Sequence, residues 1–164
     1  MFRHLLVAID ETPAAQVALS FATALARDEG GSIHVLYANR VLVGGRGLAE
    51  LSGPEATALV DTAVLQLLEE GIDATGSVST ATSFTIGQVI ADAAQARRCD
   101  AVLVGSQRRS GRWQPFGRGT RERIIRHSTL PVVTAPAPLR VPRRRRRPGT
   151  EAAWPTGAST QTVR

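Results

Sequence analysis

Lysine is missing from this chain: all 20 basic residues among its 164 are arginine. The absence excludes a lysine nucleophile, a Schiff-base lysine and the phosphate-gripping lysine of a Walker-type ATPase. A GC-rich coding bias gives the same Arg- and Ala-rich pattern. The single cysteine, Cys99, excludes an intrachain disulfide, and His4, His34 and His127 are scattered without zinc-ligand spacing, so no metal centre is expected. Aromatic residues make up only 4%. No apolar run approaches the ~20 residues that a membrane-spanning helix needs, and no apolar signal region opens the chain. The expected setting is therefore soluble, reducing and cytoplasmic. Neither G-x-S-x-G nor H-E-x-x-H occurs, and Ser106 has no base partner visible in the sequence, so no hydrolytic triad is expected and the chain reads as no efficient enzyme, with slow ATP hydrolysis as a distant third reading.

Charge is present but unevenly placed. Residues 1–105 hold 6 Arg against 12 acids, residues 106–136 hold 7 Arg against Glu122, and residues 137–164 hold 7 Arg against Glu151. The net charge of +6 thus belongs to an acidic body with a basic loop and helix and a basic tail.

Hydrophobic patterning supplies nine elements. Phe2 to Ile9 is an apolar run closed by Asp10, and Pro13 suits the first position of a helix in which Val17, Phe21, Ala24 and Leu25 recur until Gly30-Gly31. Asp10, just before Pro13, is predicted to cap that helix. Ser32 to Asn39 reads as a second strand, followed by a glycine-rich excursion from Val41 to Gly53. Pro54 opens a second helix, with Leu59, Ala63, Leu65 and Leu68 among its periodic residues, and Gly71 ends it. Asp73 to Thr82 is a polar, β-branched strand suited to a sheet edge. A third helix carries Ile86, Val89, Ile90, Ala93 and Ala94. Ala101 to Val104 is a fourth strand, Thr120 to His127 a fourth helix, and Leu130 to Ala135 a fifth strand.

Alternating strands and helices, with near-continuous apolar strands, predict an α/β fold: a five-stranded, mostly parallel sheet with helices on both faces. Ligands bind such sheets beyond the carboxyl ends of the strands, which points to Asp10, to Val35 through Ala38 and to Gly105 through Gly119. The domain is expected to span residues 1–136. From residue 137 the prolines, the Arg143 to Arg147 run and the lack of hydrophobic period predict a disordered tail capable of salt-sensitive, non-specific polyanion contact.

The segments HLLVAIDETPAAQVALSFA, SIHVLYA, DAVLVGS and GTRERIIRHSTLPVVTAP resemble, in register, the universal stress protein family across residues 1–136. The resemblance implies a universal-stress, adenine-nucleotide-alpha-hydrolase-like fold, a homodimer pairing the last strands (Leu130 to Ala135), and in its ATP-binding branch a G-x2-G-x9-G-[S/T] loop after strand four. It implies that Asp10 meets the ribose or adenine region and that the Val35 backbone meets the adenine edge. Gly105 matches the first loop glycine, Gly111 a glycine common within the loop, and Gly119-Thr120 the closing pair that cups the phosphates of ATP, with or without Mg2+. Free N–H groups at the start of the fourth helix favour anionic oxygens in the same way. Two differences stand out: Arg108 replaces the second motif glycine, and the spacing to Gly119 is one residue longer. Arg108 and Arg112 would offer charge-assisted phosphate contacts in exchange. Trp113 and Phe116 are expected to anchor the loop by packing.

Two functions follow as expectations. One is an ATP-binding stress-response homodimer that acts as a sensor or adaptor. The other is a protein of the same fold that binds no nucleotide and uses its basic loop and tail to contact acidic partners or nucleic acid.

Overall fold

The computed structural model describes residues 2–41, 49–106 and 119–136. Five strands and four helices alternate: β1 (His4–Ile9), α1 (Pro13–Glu29), β2 (Ser32–Arg40), α2 (Gly53–Glu69), β3 (Asp73–Ala81), α3 (Ile86–Ala96), β4 (Ala101–Gly105), α4 (Thr120–His127) and β5 (Val132–Ala135). The strands form one sheet in the order β3-β2-β1-β4-β5, and every pairing is parallel. No described helix is long and apolar enough to cross a membrane.

The central strands are apolar on both faces because both faces are covered. Leu5, Val7 and Ile9 point toward α1 and α2 with Ile33, Val35, Leu103 and Ala135, whereas Leu6, Leu36, Val102 and Val104 pack on α3 and α4. The chain's alternation within β1 therefore divides one apolar run between two cores. Small residues dominate the buried stripe of α1 (Ala15, Ala18, Ala22, Ala26), which lets that helix lie close to the sheet. Gly30, at φ 62°, ends α1 in the left-handed conformation that glycine adopts without penalty.

The helical phase differs from the predicted one in two places. In α2 the buried residues are Ala56, Val60, Ala63 and Leu67, which leaves Leu65 and Leu68 on the outer face, 59% and 48% exposed. In α1, Ala24 is exposed, while Val17, Phe21 and Leu25 only flank the buried stripe. The helix also starts differently: α2 begins one residue early, capped by Ser52, whose N–H and hydroxyl bond the Glu55 carboxylate at 2.9 and 2.6 Å. The first strand begins at His4 rather than Phe2 and the fifth at Val132 rather than Leu130.

The polar character of β3 follows from its edge position and from one buried histidine. His34 of β2 is 5% exposed, and its Nδ1 and Nε2 lie 2.8 and 2.9 Å from the hydroxyls of Thr75 and Ser77. A neutral imidazole satisfies both hydroxyls, donating to one and accepting from the other. Burial, helped by the positive charge of Arg97, pushes its pKa down to about 4.

The sign of the resulting pH dependence is fixed. The unfolded chain takes up a proton on this histidine as pH falls below 6.5, and the folded chain does not until about 4. Stability is expected to fall between those values by at most about 3 kcal/mol on account of His34, and then to level off for this group. Denaturant melts at pH 7, 5.5 and 4 check it, because His34→Gln should flatten the slope in that window. An unchanged slope would contradict the assignment.

Candidate functional site

Strand order reverses at β1. The chain moves outward from β1 to β2 and β3, then returns to place β4 on the other side of β1. In a doubly wound sheet, connections leaving neighbouring strands on opposite sides open a crevice beyond their carboxyl ends. A cleft lies there, walled by Asp10, Thr12 and Gly105, by Tyr37, Ala38, Arg40 and Glu50, and by Thr120 and Arg121, with Ile86, Ile90 and Val104 among its apolar contacts.

Asp10 follows the last residue of β1 and is exposed. Its carboxylate accepts hydrogen bonds from the Thr12 N–H at 3.0 Å and from the Thr12 hydroxyl. Thr12, rather than Asp10, is the N-cap of α1. The predicted capping role is thus corrected to an Asx turn that precedes the helix by two residues, because Pro13 fixes the first helical position. The outcome is a carboxylate fixed at the cleft wall.

Gly105 closes β4 directly against the first turn of α1. A Cβ built there would stand 2.4 Å from the Ala14 carbonyl oxygen and 2.5 Å from its carbon, both backbone atoms that cannot swing aside. The glycine is required by close packing at the crevice. Next to it, the hydroxyl of Ser106 is buried and has no hydrogen-bond partner among the described residues.

Val35 is not brought to the cleft. It is fully buried in the middle of β2, paired with Val7 and Gly76, and belongs to the core under α1 and α2. Tyr37 and Ala38, two and three residues further along, occupy the carboxyl end of that strand, since Tyr37 pairs with Ile9. Parallel register, which the sequence does not display, decides the difference.

Of the polar lining residues, Tyr37 falls within the predicted stretch from Val35 to Ala38, whereas Arg40 and Glu50 were not predicted. Burial raises the pKa of the Tyr37 phenol, as do Glu50, Glu11 and Asp10 against a smaller opposing effect of Arg40, so the phenol remains a hydrogen-bond donor. Arg40 grips Glu50 with two nitrogens, Nη2 to Oε1 at 2.6 Å and Nε to Oε2 at 3.1 Å. That fork, with an antiparallel bridge between Val41 and Ala49, ties the two ends of the glycine-rich excursion at the cleft mouth. Arg40 and Glu50, flanking an excursion, were the available signal.

At the opposite wall Gly119 is the N-cap of α4 and Thr120 its first residue. Gly119 has no side chain with which to cap, and Glu122 from the same turn takes over. Its carboxylate is held below its usual range first by the Arg121 guanidinium at 2.7 Å, then by its own N–H, with the Gly119 N–H also contributing. Of the remaining predicted residues, Arg108, Gly111 and Arg112, as well as Trp113, Phe116 and the tail with Arg143 to Arg147, lie outside the described residues.

A second, shallower concavity lies at the amino ends of the strands, lined by His4, Ser32, His34, Thr75, Arg97 and Cys99 among others. Its reactive groups are engaged or buried: His34 by two hydroxyls, His4 Nδ1 by Ser32 Oγ at 2.9 Å, and the Cys99 thiol with its pKa raised by burial. No group of three His, Cys, Asp or Glu side chains able to hold a metal ion occurs among the described residues.

The fold and this cleft define a doubly wound α/β domain with an open crevice at its topological switch point. Over residues 1–136 the chain matches the universal stress protein family, and it belongs to that family. A universal stress protein from Archaeoglobus fulgidus superimposes with a TM-score of 0.65 at 22% identity, covering 82% of this chain and 98% of the other. The structure of the universal stress protein from the same organism in complex with dAMP gives 0.61 at 22% identity, covering 81% and 97%. A universal stress protein in complex with cAMP gives 0.62 at 14% identity, covering 81% and 95%. No curated protein matches the chain.

Replacing Gly105 by alanine is expected to destabilise the domain by about 1–3 kcal/mol, the usual range for forcing atoms into a packed site. Thermal melting checks this, and a loss below a few tenths would show that β4 and α1 can separate without cost.

Proposed function

We propose that the cleft binds an adenine nucleotide, and that the protein acts as a stress-response sensor or adaptor instead of an enzyme. The observation that carries the reading is the pairing of opposite walls: an oriented carboxylate, Asp10, at the end of β1, and the start of α4 across the crevice between β1 and β4. A carboxylate accepts from ribose hydroxyls or an amino group, and the first turn of a helix favours phosphate oxygens. Tyr37 adds a donor near the carboxylate wall. The dAMP and cAMP complexes of structures with this fold favour the same ligand class. ATP is the family precedent, and Mg2+, where it takes part, arrives on the ligand's own phosphates.

Binding without turnover suits the cleft, because the two carboxylates that line it are already engaged: Asp10 by Thr12 and Glu50 by Arg40. The reading includes a homodimer through β5, the last strand of the sheet, which among the described residues is paired only to β4 and whose Val132 and Val133 are half-buried. An open apolar edge invites a second copy. The alternative, an interaction protein that binds no nucleotide, has one observation in its favour: the α4 N-terminus already carries the Glu122 carboxylate. In that reading the basic loop and the Arg143 to Arg147 run contact acidic partners or nucleic acid.

Ligand-dependent melting separates the two. AMP or ATP at about 100 times its Kd is expected to add about 2.7 kcal/mol of stability. Asp10→Ala should weaken the nucleotide by about tenfold through loss of charge-assisted hydrogen bonds. No stabilisation of the folded parent protein by either nucleotide would overturn the nucleotide reading in favour of the alternative. Sedimentation across micromolar concentrations should show a dimer, and a monomer throughout would remove the β5 interface.

A further inference from the structure

Tyr37 is 2% exposed, belongs to the core under α1 and α2, and also lines the cleft. Its ring is held by packing, so what it can offer the cleft is its polar end. Buried phenols ordinarily find a hydrogen-bond partner. This hydroxyl has none among the described residues, and its pKa is raised by burial and by Glu50, Glu11 and Asp10, with no hydrogen bond among the causes. It is a neutral donor with nothing to donate to. The nearby acceptors are held away from it: Arg40 grips both oxygens of Glu50, at 2.6 and 3.1 Å, and Thr12 binds Oδ1 of Asp10 through its N–H and its hydroxyl. Oδ2 of Asp10 keeps its lone pairs free among the described residues. The cleft therefore presents one unpaired donor and one unpaired acceptor beside the apolar side chains of Ala38, Ile86 and Ile90.

We propose that the Tyr37 hydroxyl is the specificity-determining donor of the cleft, and that it reads the ligand's base by donating to a ring nitrogen. The proposal rests on the nucleotide reading and adds to it the side chain that does the reading. Three carboxylates against one guanidinium surround the phenol, so a phosphate is disfavoured at this wall and the uncharged end of the ligand belongs here. Ribose hydroxyls can donate to the free oxygen of Asp10 and do not need the phenol. A base is flat and neutral: its faces suit the apolar side chains, and its edge carries the acceptor nitrogen that Tyr37 lacks. The phenol is already ordered by its packed ring, so little freedom is lost when it donates. A ligand that brings a C–H to the same place leaves a buried donor unpaired, and that loss is what discriminates.

The test titrates the full-length protein with adenosine and with 1-deaza-, 3-deaza- and 7-deazaadenosine, each of which replaces one ring nitrogen by C–H. At least one analogue is expected to bind the parent about three- to tenfold more weakly than adenosine, the span of one neutral hydrogen bond. Tyr37→Phe keeps the packed ring and removes only the hydroxyl. It should weaken adenosine by a similar factor and abolish the difference between adenosine and that analogue, because the two changes delete the same bond. The analogues report on the unaltered protein, so the proposal stays open to refutation even where the variant melts early. A parent that binds adenosine and all three analogues equally would overturn the proposal and leave the nucleotide reading standing. So would an adenosine-to-analogue difference that persists undiminished in Tyr37→Phe, since the nitrogen would then be read by another group. A folded parent that binds neither adenosine nor AMP would end both.

Discussion

The close approach of β4 to the first turn of α1 is the contact on which the site depends. Gly105 meets the Ala14 backbone with no room for a Cβ, and it does so where the strand order turns back. Because β4 pairs with β1 in register from Leu5 to Ala8, the two strands end side by side while their outgoing chains part. Asp10 and Thr12 leave on one side and Ser106 on the other. The crevice is the geometric residue of that parting. Its walls then fall to whatever side chains the strand ends carry: Tyr37 and Ala38 from β2, Gly105 from β4, and Thr120 and Arg121 from the helix that leads into β5.

Much of this was legible in the chain. The runs at β1, β2 and β4 are apolar without alternation, a pattern that only a sheet covered on both faces requires, and the polar run at 73–82 read correctly as an edge strand. That Asp10, Gly105 and Thr120 stand at the cleft follows from the same logic of strand ends and helix starts. What escaped was phase and register. Val35 and Tyr37 point to the same face, so a period of two cannot say which of them reaches the cleft, and only the pairing of Tyr37 with Ile9, the last residue of β1, does. The periodic residues of α2 fall on more than one face, and packing rather than the pattern puts Leu67 inside and Leu65 and Leu68 outside. The Arg40–Glu50 fork spans a glycine-rich excursion, and such contacts across a loop leave no periodic trace.

Charge is organised more locally than the composition suggests. The net +6 of residues 106–136 reads as a phosphate grip, yet Arg121 is paired with Glu122, the only acid in that segment. On the other wall Arg40 is likewise committed to Glu50. Carboxylate and guanidinium thus come in couples at the cleft and beside it. Exposed pairs of this kind contribute little to folding, so their rearrangement costs little as well.

Amide chemical-shift mapping with AMP tests the central claim most directly, since it locates a ligand without presupposing its affinity. The account expects the largest changes at Asp10, Tyr37, Ala38, Gly105 and Thr120, converging from three strand ends and one helix start. Changes centred instead on His4, Ser32, His34 and Arg97 at the other end of the sheet would contradict it, as would a spectrum unmoved at millimolar nucleotide.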